Sequence, residues 1–67
     1  MGNRYLYNGH IIEAGPGLGE GRYFTREQSG SGGWHRLCYV DLPVRKTLEE
    51  AQADLDAWAK RKGLDTR

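Results

Sequence analysis

Residues 47–63, TLEEAQADLDAWAKRKG, contain the clearest structural signal in the sequence. Thr47 and Glu50 have the spacing of a capping box, in which the threonine hydroxyl accepts from the third helical N–H and the glutamate reaches back to the Thr47 backbone. Gly63 suits the left-handed residue that ends a helix. The stretch therefore predicts a helix over residues 48–62.

The apolar residues of this helix recur at intervals of three and four. Leu48, Ala51, Leu55 and Trp58 therefore share one face, which is suited to packing on a sheet. Leu64, just beyond the helix, is expected to fold back toward this face in a Schellman ending. Acidic residues in the first turn and basic residues in the last turn complement the helix dipole.

Upstream of the helix the sequence changes to short runs rich in aromatic and β-branched residues, separated by glycine-rich segments. These runs predict strands over residues 4–13, 22–28 and 34–42, the first of them bent or bulged at Asn8-Gly9. The connection 29–33 is too short for a parallel crossover, so its two strands form an antiparallel hairpin. The predicted fold is one α+β domain, a three-stranded antiparallel meander with a C-terminal helix on one face.

Side-chain alternation leaves open which face of this sheet meets the helix. On strand 34–42, Leu42 points to one face and Leu37 to the other. Strand 22–28 also has no clearly apolar face, because Phe24 shares its face with Arg22 and Arg26. Several aromatic side chains are therefore expected outside the core, on a surface available to a partner.

The length of the chain restricts its function. A domain of 67 residues has a thin core, and an enclosed pocket of roughly 300 Å³ or more would take up the interior that holds it together. We therefore expect a non-enzymatic binding module without a cofactor. The glycine-rich segment 15–21 has neither the spacing of a phosphate-binding loop nor a helix after it, so it is interpreted as a hairpin connection.

The single cysteine, Cys38, cannot form an intramolecular disulfide, which favours a reducing compartment. Its expected state is that of a small buried hydrophobe. His10, His35 and Cys38 lack metal-site spacing, and the last two fall on opposite faces of the predicted strand, so no metal is expected. Without an apolar span or a secretory signal, the expected location is cytoplasmic, with no membrane association.

Charge is distributed unevenly although the formal net charge is only +1. Residues 1–46 carry six basic and four acidic side chains, a net of +2, and residues 47–67 have a net of −1. Arginine can contact guanine or phosphate and aromatic rings stack on bases, so basic and aromatic strand residues favour DNA or RNA as a partner. The candidate contacts are Arg22, Arg26, Trp34, Arg36, Arg45 and Lys46.

Three segments of the chain read GRYFTREQ (21–28), GWHRLCYVDLP (33–43) and KTLEEAQADLDAWAKRKG (46–63). Together they resemble the small arm-binding domains of phage-type tyrosine integrases and the plant ethylene-response-factor domains. In those families a three-stranded sheet reads the DNA major groove. The resemblance implies a small regulatory protein, such as one from a mobile element, with Arg22, Arg26, Trp34 and Arg36 as DNA contacts.

Residues 39–58, YVDLPVRKTLEEAQADLDAW, also resemble HicB-type antitoxins, in which a strand ending Asp-Leu-Pro precedes the helix. There the sheet and helix bind a small toxin. This resemblance implies the alternative function, a protein-interaction module that forms a homodimer or binds a toxin-like partner through exposed aromatics or an open strand edge.

Overall fold

The computed structural model describes residues 3–17 and 21–66. Within them four strands and one helix follow in order: β1 (Arg4–Tyr7), β2 (His10–Pro16), β3 (Tyr23–Gln28), β4 (Trp34–Arg36) and α1 (Leu48–Lys62). The strands form an antiparallel sheet in the order β1-β2-β3-β4. The α+β class and the C-terminal helix are confirmed, whereas the prediction of three strands is wrong.

The predicted strand 4–13 is two strands joined by a tight turn. Asn8 and Gly9 have φ values of 52° and 79°, as in a type I′ hairpin turn. A continuous strand with unbroken alternation would have placed Tyr5 and Ile12 on opposite faces, since their numbers differ in parity. A single bulge at Asn8-Gly9 could reset that alternation, but the chain reverses direction there. The hairpin instead pairs them directly, and both are buried in the core.

The predicted strand 34–42 is also too long, because β4 ends at Arg36. Beyond it the chain turns, with hydrogen bonds from Tyr39 N to Leu37 O (3.2 Å) and from Leu42 N to Tyr39 O (3.0 Å). A continued strand would have placed Leu37 and Leu42 on opposite faces. By leaving the sheet, the chain buries both in one core.

Two backbone segments close off parts of the sheet edges. Past the end of β4, Arg45 exchanges two hydrogen bonds with Tyr23 of β3, at 2.7 and 2.8 Å. On the other side, Asp65 O accepts from Leu6 N of β1 at 3.2 Å. These bonds satisfy edge groups that would otherwise be open to strand pairing.

Helix α1 has the predicted bounds and caps. Thr47 Oγ1 accepts from Glu50 N at 3.3 Å and donates to the Glu50 carboxylate at 3.1 Å, so the glutamate meets the hydroxyl instead of the Thr47 backbone. Gly63 is left-handed with φ 69°, and Leu64 N donates to Ala59 O at 3.0 Å. The Schellman ending is therefore confirmed.

The core lies between one face of the sheet and the helix. Its buried residues are Tyr5, Ile12, Leu37, Leu42, Leu55, Trp58 and Ala59, with Leu64 packed against them. Tyr5 also donates from its hydroxyl to Asp56 Oδ1 at 2.6 Å, which ties β1 to α1.

Two predictions of burial are wrong. Leu48 is 42% exposed, because the first turn of α1 extends beyond the core. Cys38 is exposed, since it lies in the turn that follows β4 instead of in a strand. Among the described residues no helix has the length and apolar character needed to cross a bilayer.

Candidate functional site

The face of the sheet opposite α1, here called the outer face, is settled by strand register. Thr25 of β3 is buried beneath the helix, so its neighbours Phe24 and Arg26 belong to the outer face. Across this face, one row joins Arg4, Glu13, Arg26 and Arg36. Leu6 pairs with Ile11, Gln28 pairs with Trp34, and Gly15 pairs with Phe24. Arginines and aromatic rings are thus interleaved on one surface.

Arg26 is the fixed centre of the outer face. Its guanidinium donates to Glu13 Oε1 at 2.9 Å and to the Pro16 carbonyl at 3.3 Å. Its Cζ lies 4.7 Å from the centroid of the Trp34 ring, within the range of a cation–π contact. Its Nε is buried without a hydrogen-bond partner. Arg26 therefore positions the Trp34 ring and also adds a positive charge to the outer face.

Two glycines allow this arrangement. A Cβ on Gly15 would lie 2.8 Å from Arg26 Nε, and a Cβ on Gly17 would lie 2.2 Å from Phe24 Cε2. Arg26 and Phe24 can therefore lie against the backbone of β2 and its continuation, where any side chain would displace them. The segment interpreted as a hairpin connection begins inside β2 and serves packing there; its residues 18–20 lie outside the described residues.

A cleft opens on this face between the arginines and the rings. Its volume is about 410 Å³, and it is lined by Pro16, Gly17, Phe24, Arg26 and the three residues of β4. Arg36 is exposed, with its Cζ 5.7 Å from the Phe24 ring centroid. No carboxylate within residues 3–17 and 21–66 forms an ion pair with it. Among the described residues, therefore, no acidic side chain neutralises the Arg36 guanidinium, and it is exposed to solvent.

Among the described residues, the row that crosses all four strands on the outer face carries a net positive charge. Glu13 is shared between Arg26 (2.9 Å) and Arg4 (3.1 Å), and both contacts are partly exposed. Three arginines and one glutamate in this row leave a net of +2. This row lies within residues 1–46, the part of the chain in which basic side chains outnumber acidic ones.

The structure brings together three of the six predicted contact residues: Arg26, Trp34 and Arg36. Arg22 is exposed just before β3. Phe24 belongs to the cleft but was not predicted as a contact, although it shares the parity of Arg26 and was therefore identifiable by alternation.

Arg45 is assigned to a structural contact instead. Its Nε and a terminal nitrogen donate to the Asp54 carboxylate at 2.7 and 3.2 Å, a bidentate pair that joins the returning chain to α1. The hydrogen bonds and charge of Asp54 raise the pKa of Arg45 above its already high value. Lys46, the last predicted contact, is exposed next to this segment and does not line the cleft.

The helix side carries a second aromatic group. Tyr39 stacks on Trp58 with centroids 5.5 Å apart, and Tyr7 meets the same ring edge-on at 5.0 Å. The hydroxyls of Tyr7 and Tyr39 lie 3.3 Å apart, and this hydrogen bond raises the pKa of Tyr39. The two tyrosines thus extend the core toward the surface. Trp58 itself is only 3% exposed, so its ring has no open face on which a ligand could stack.

The remaining polar clusters are small. His35 Nε2 lies 2.9 Å from a Glu27 carboxylate oxygen. Across residues 3–17 and 21–66, no three His, Cys, Asp or Glu side chains are grouped as metal ligands would be.

Comparison of the chain with protein-family models, curated proteins and solved structures gives no match. The similarities to integrase arm-binding domains and to HicB-type antitoxins therefore rest on the quoted segments alone. The functional argument depends on the geometry of the outer face.

Proposed function

We propose that this chain is a small non-enzymatic nucleic-acid-binding module that uses the outer face of its sheet. The observation that carries the proposal is the stack of Arg26 on Trp34 beside Arg36 and Phe24. Nucleic acids present phosphate charge and flat bases, and this surface presents guanidinium groups beside flat rings. The whole face is free of the helix, so an extended polymer can approach it.

Arginine is well suited to this role. Its planar fork donates two parallel hydrogen bonds to a phosphate and can also stack on a ring. Arg36 has both properties, since it is exposed and lies near the Phe24 ring. Glu13 reduces the charge of Arg4 and Arg26, so the proposal predicts salt-sensitive binding with a small number of phosphate contacts.

The test is fluorescence anisotropy of a labelled 12-nucleotide strand and its duplex at several salt concentrations. With about two phosphate contacts, the slope of log K against log salt should be roughly −1.4 for the single strand and −1.8 for the duplex. Arg36→Gln should remove about one contact, and with it roughly 0.7 to 0.9 of the slope.

The matched control is Arg61→Gln, which removes the same charge from the helix side. Arg61 is 60% exposed there and lies 3.5 Å from Asp41. It should leave the salt slope almost unchanged. Equal losses in the two variants would mean that overall charge and not the outer face attracts the polymer, and absence of binding even at 20 mM salt, a concentration chosen to favour phosphate contacts, would refute the proposal.

A second candidate function is protein interaction, supported by apolar side chains outside the cleft. Four described residues of the segment 39–48 are large, apolar and exposed: Tyr39 (43%), Val40 (94%), Val44 (42%) and Leu48 (42%). Exposed apolar groups favour a protein partner or a second copy of the chain. Sedimentation velocity over a hundredfold concentration range tests self-association, and Val40→Ser should weaken any dimer formed through this segment. If the protein is monomeric at every concentration, the homodimer is excluded as its functional form.

A further inference from the structure

We propose that the cleft between Trp34 and Phe24 accepts one unpaired base of a single-stranded nucleic acid, with Arg36 on its phosphate. This inference rests on the proposed function and names its substrate class. It follows from three features: the Trp34 ring is held in place and partly exposed, the cleft has the size of a small ligand site, and the polar groups around it are mostly engaged.

The Trp34 ring is a prepared stacking surface. Arg26 contacts it at 4.7 Å and is itself held by Glu13 and by the Pro16 carbonyl. The side chain of Trp34 is only half-buried, so part of the ring remains open to solvent. Since the ring is already positioned, a base that stacks on it loses less free energy to side-chain ordering.

The cleft has the size of a small ligand site. Its volume of about 410 Å³ lies near the lower end of the roughly 300 to 1,000 Å³ that is usual for such sites. Phe24, packed where Gly17 has no side chain, contributes its ring to the lining, with Arg36 Cζ 5.7 Å from the ring centroid. A planar, largely apolar group fits this lining better than a flexible charged one.

The polar groups favour stacking over recognition of particular base edges. Arg26 uses its terminal nitrogens on Glu13 and Pro16, and its Nε is covered. Arg36 lies at the exposed side of the cleft, where it can meet a phosphate. We therefore expect the cleft to accept every base, with a modest preference set by stacking strength.

A base enters such a cleft most easily from a single strand. In a duplex both faces of each base are covered by its neighbours, so the base must first be unstacked and unpaired. A single strand has no such cost. The cleft therefore predicts tighter binding to single strands than to a duplex of the same length.

The experiment compares three labelled polymers of 12 residues by anisotropy at one salt concentration. These are oligo-dT, a DNA duplex, and a strand of abasic tetrahydrofuran units that keeps the phosphates and lacks the bases. One stacked base should make oligo-dT bind roughly 5- to 150-fold more tightly than the abasic strand. Oligo-U compared with oligo-dU tests whether the 2′-hydroxyl contributes, since these two polymers carry the same base, and equal affinity supports a site that accepts both sugars.

The variants locate the base. Trp34→Ala should remove the advantage of oligo-dT over the abasic strand, and Trp34→Phe should keep most of it. Tyr39→Ala, which removes an exposed aromatic from the helix side, should keep the advantage in full. A readout without substitution is quenching of tryptophan fluorescence by oligo-dT, which reports on Trp34 because Trp58 is buried.

The outcomes separate this inference from the proposed function. If all three polymers bind equally, or the duplex binds most tightly, the base site is wrong while nucleic-acid binding stands. If none of them binds at low salt, the proposed function fails as well. Tight binding to oligo-dT without tryptophan quenching would place the strand elsewhere on the protein and overturn the base site.

Discussion

Leu55→Ala tests the packing of the helix most directly. Leu55 is fully buried in the core, at 0% exposure, so the substitution removes buried methyl groups and leaves a cavity. Such changes cost about 2 to 5 kcal/mol. A chain of 67 residues has a total free energy of unfolding of roughly 3 to 10 kcal/mol at the usual stability per residue. We therefore expect Leu55→Ala to remove about half of the stability.

The assay is urea denaturation followed by circular dichroism. With a slope of about 1 kcal/mol per molar urea for a domain of this size, the midpoint should fall by roughly 2 to 5 M. The matched control is Leu48→Ala, the same substitution in the same helix at a residue that is 42% exposed. That variant should stay within about 0.5 kcal/mol of the parent. Equal losses at the two positions would refute the assignment of the buried face.

Three further predictions concern stability. Gly17→Ala should cost about 1 to 3 kcal/mol in urea denaturation, because its Cβ would overlap a ring, whereas Gly30→Ala, with nothing within 4 Å, should be neutral or slightly stabilising. Thr47→Ala should cost about 0.5 to 2 kcal/mol through loss of the helix cap, and Thr47→Ser should restore most of it by the same measurement. Burial and the hydrogen bond to Asp56 raise the pKa of Tyr5, so the folded state holds its proton longer and stability should fall as the pH rises above about 10. Urea midpoints at pH 8 and 11 measure this fall, and a Tyr5→Phe variant that lost as much would show that Tyr5 is not its source.

The helix was predictable to the residue because its ends depend on local interactions. The Thr47 hydroxyl meets an N–H three residues away, and Gly63 needs only its own left-handed conformation. The buried face was less predictable. Leu48 has the correct spacing, but its burial depends on how far the core extends along the helix, which spacing does not specify.

The strands were mispredicted where burial depends on distant partners. Tyr5 and Ile12 differ in parity, as do Leu37 and Leu42, yet all four are buried in one core. That combination requires a break in the alternation of each predicted strand, and in both places the break is a turn. Asn8-Gly9 is a recognisable signal for the first turn, whereas the second contains no glycine and is held by Leu42 packed in the core.

The part of the candidate site that lies on the strands was predictable, because side chains on a strand alternate between the two faces of the sheet. Arg26, Trp34 and Arg36 come together because β3 and β4 pair in a register that places them on one face. Arg45 is basic and close in sequence to the strands, but its partner Asp54 lies on the helix, a contact that depends on the tertiary fold. Charge alone therefore could not separate a contact residue from a structural one.

The glycine-rich segment links the sequence to the site in a way that turn preferences missed. Its first residue, Gly15, pairs with Phe24 within the sheet, and the missing side chain leaves room for Arg26. Gly17 does the same for the Phe24 ring. If these residues carried side chains, the guanidinium would be displaced from Glu13 and the ring from the cleft. The glycines therefore make room on the outer face for the Arg26 guanidinium and the Phe24 ring, a packing role that goes beyond the flexibility of a hairpin connection.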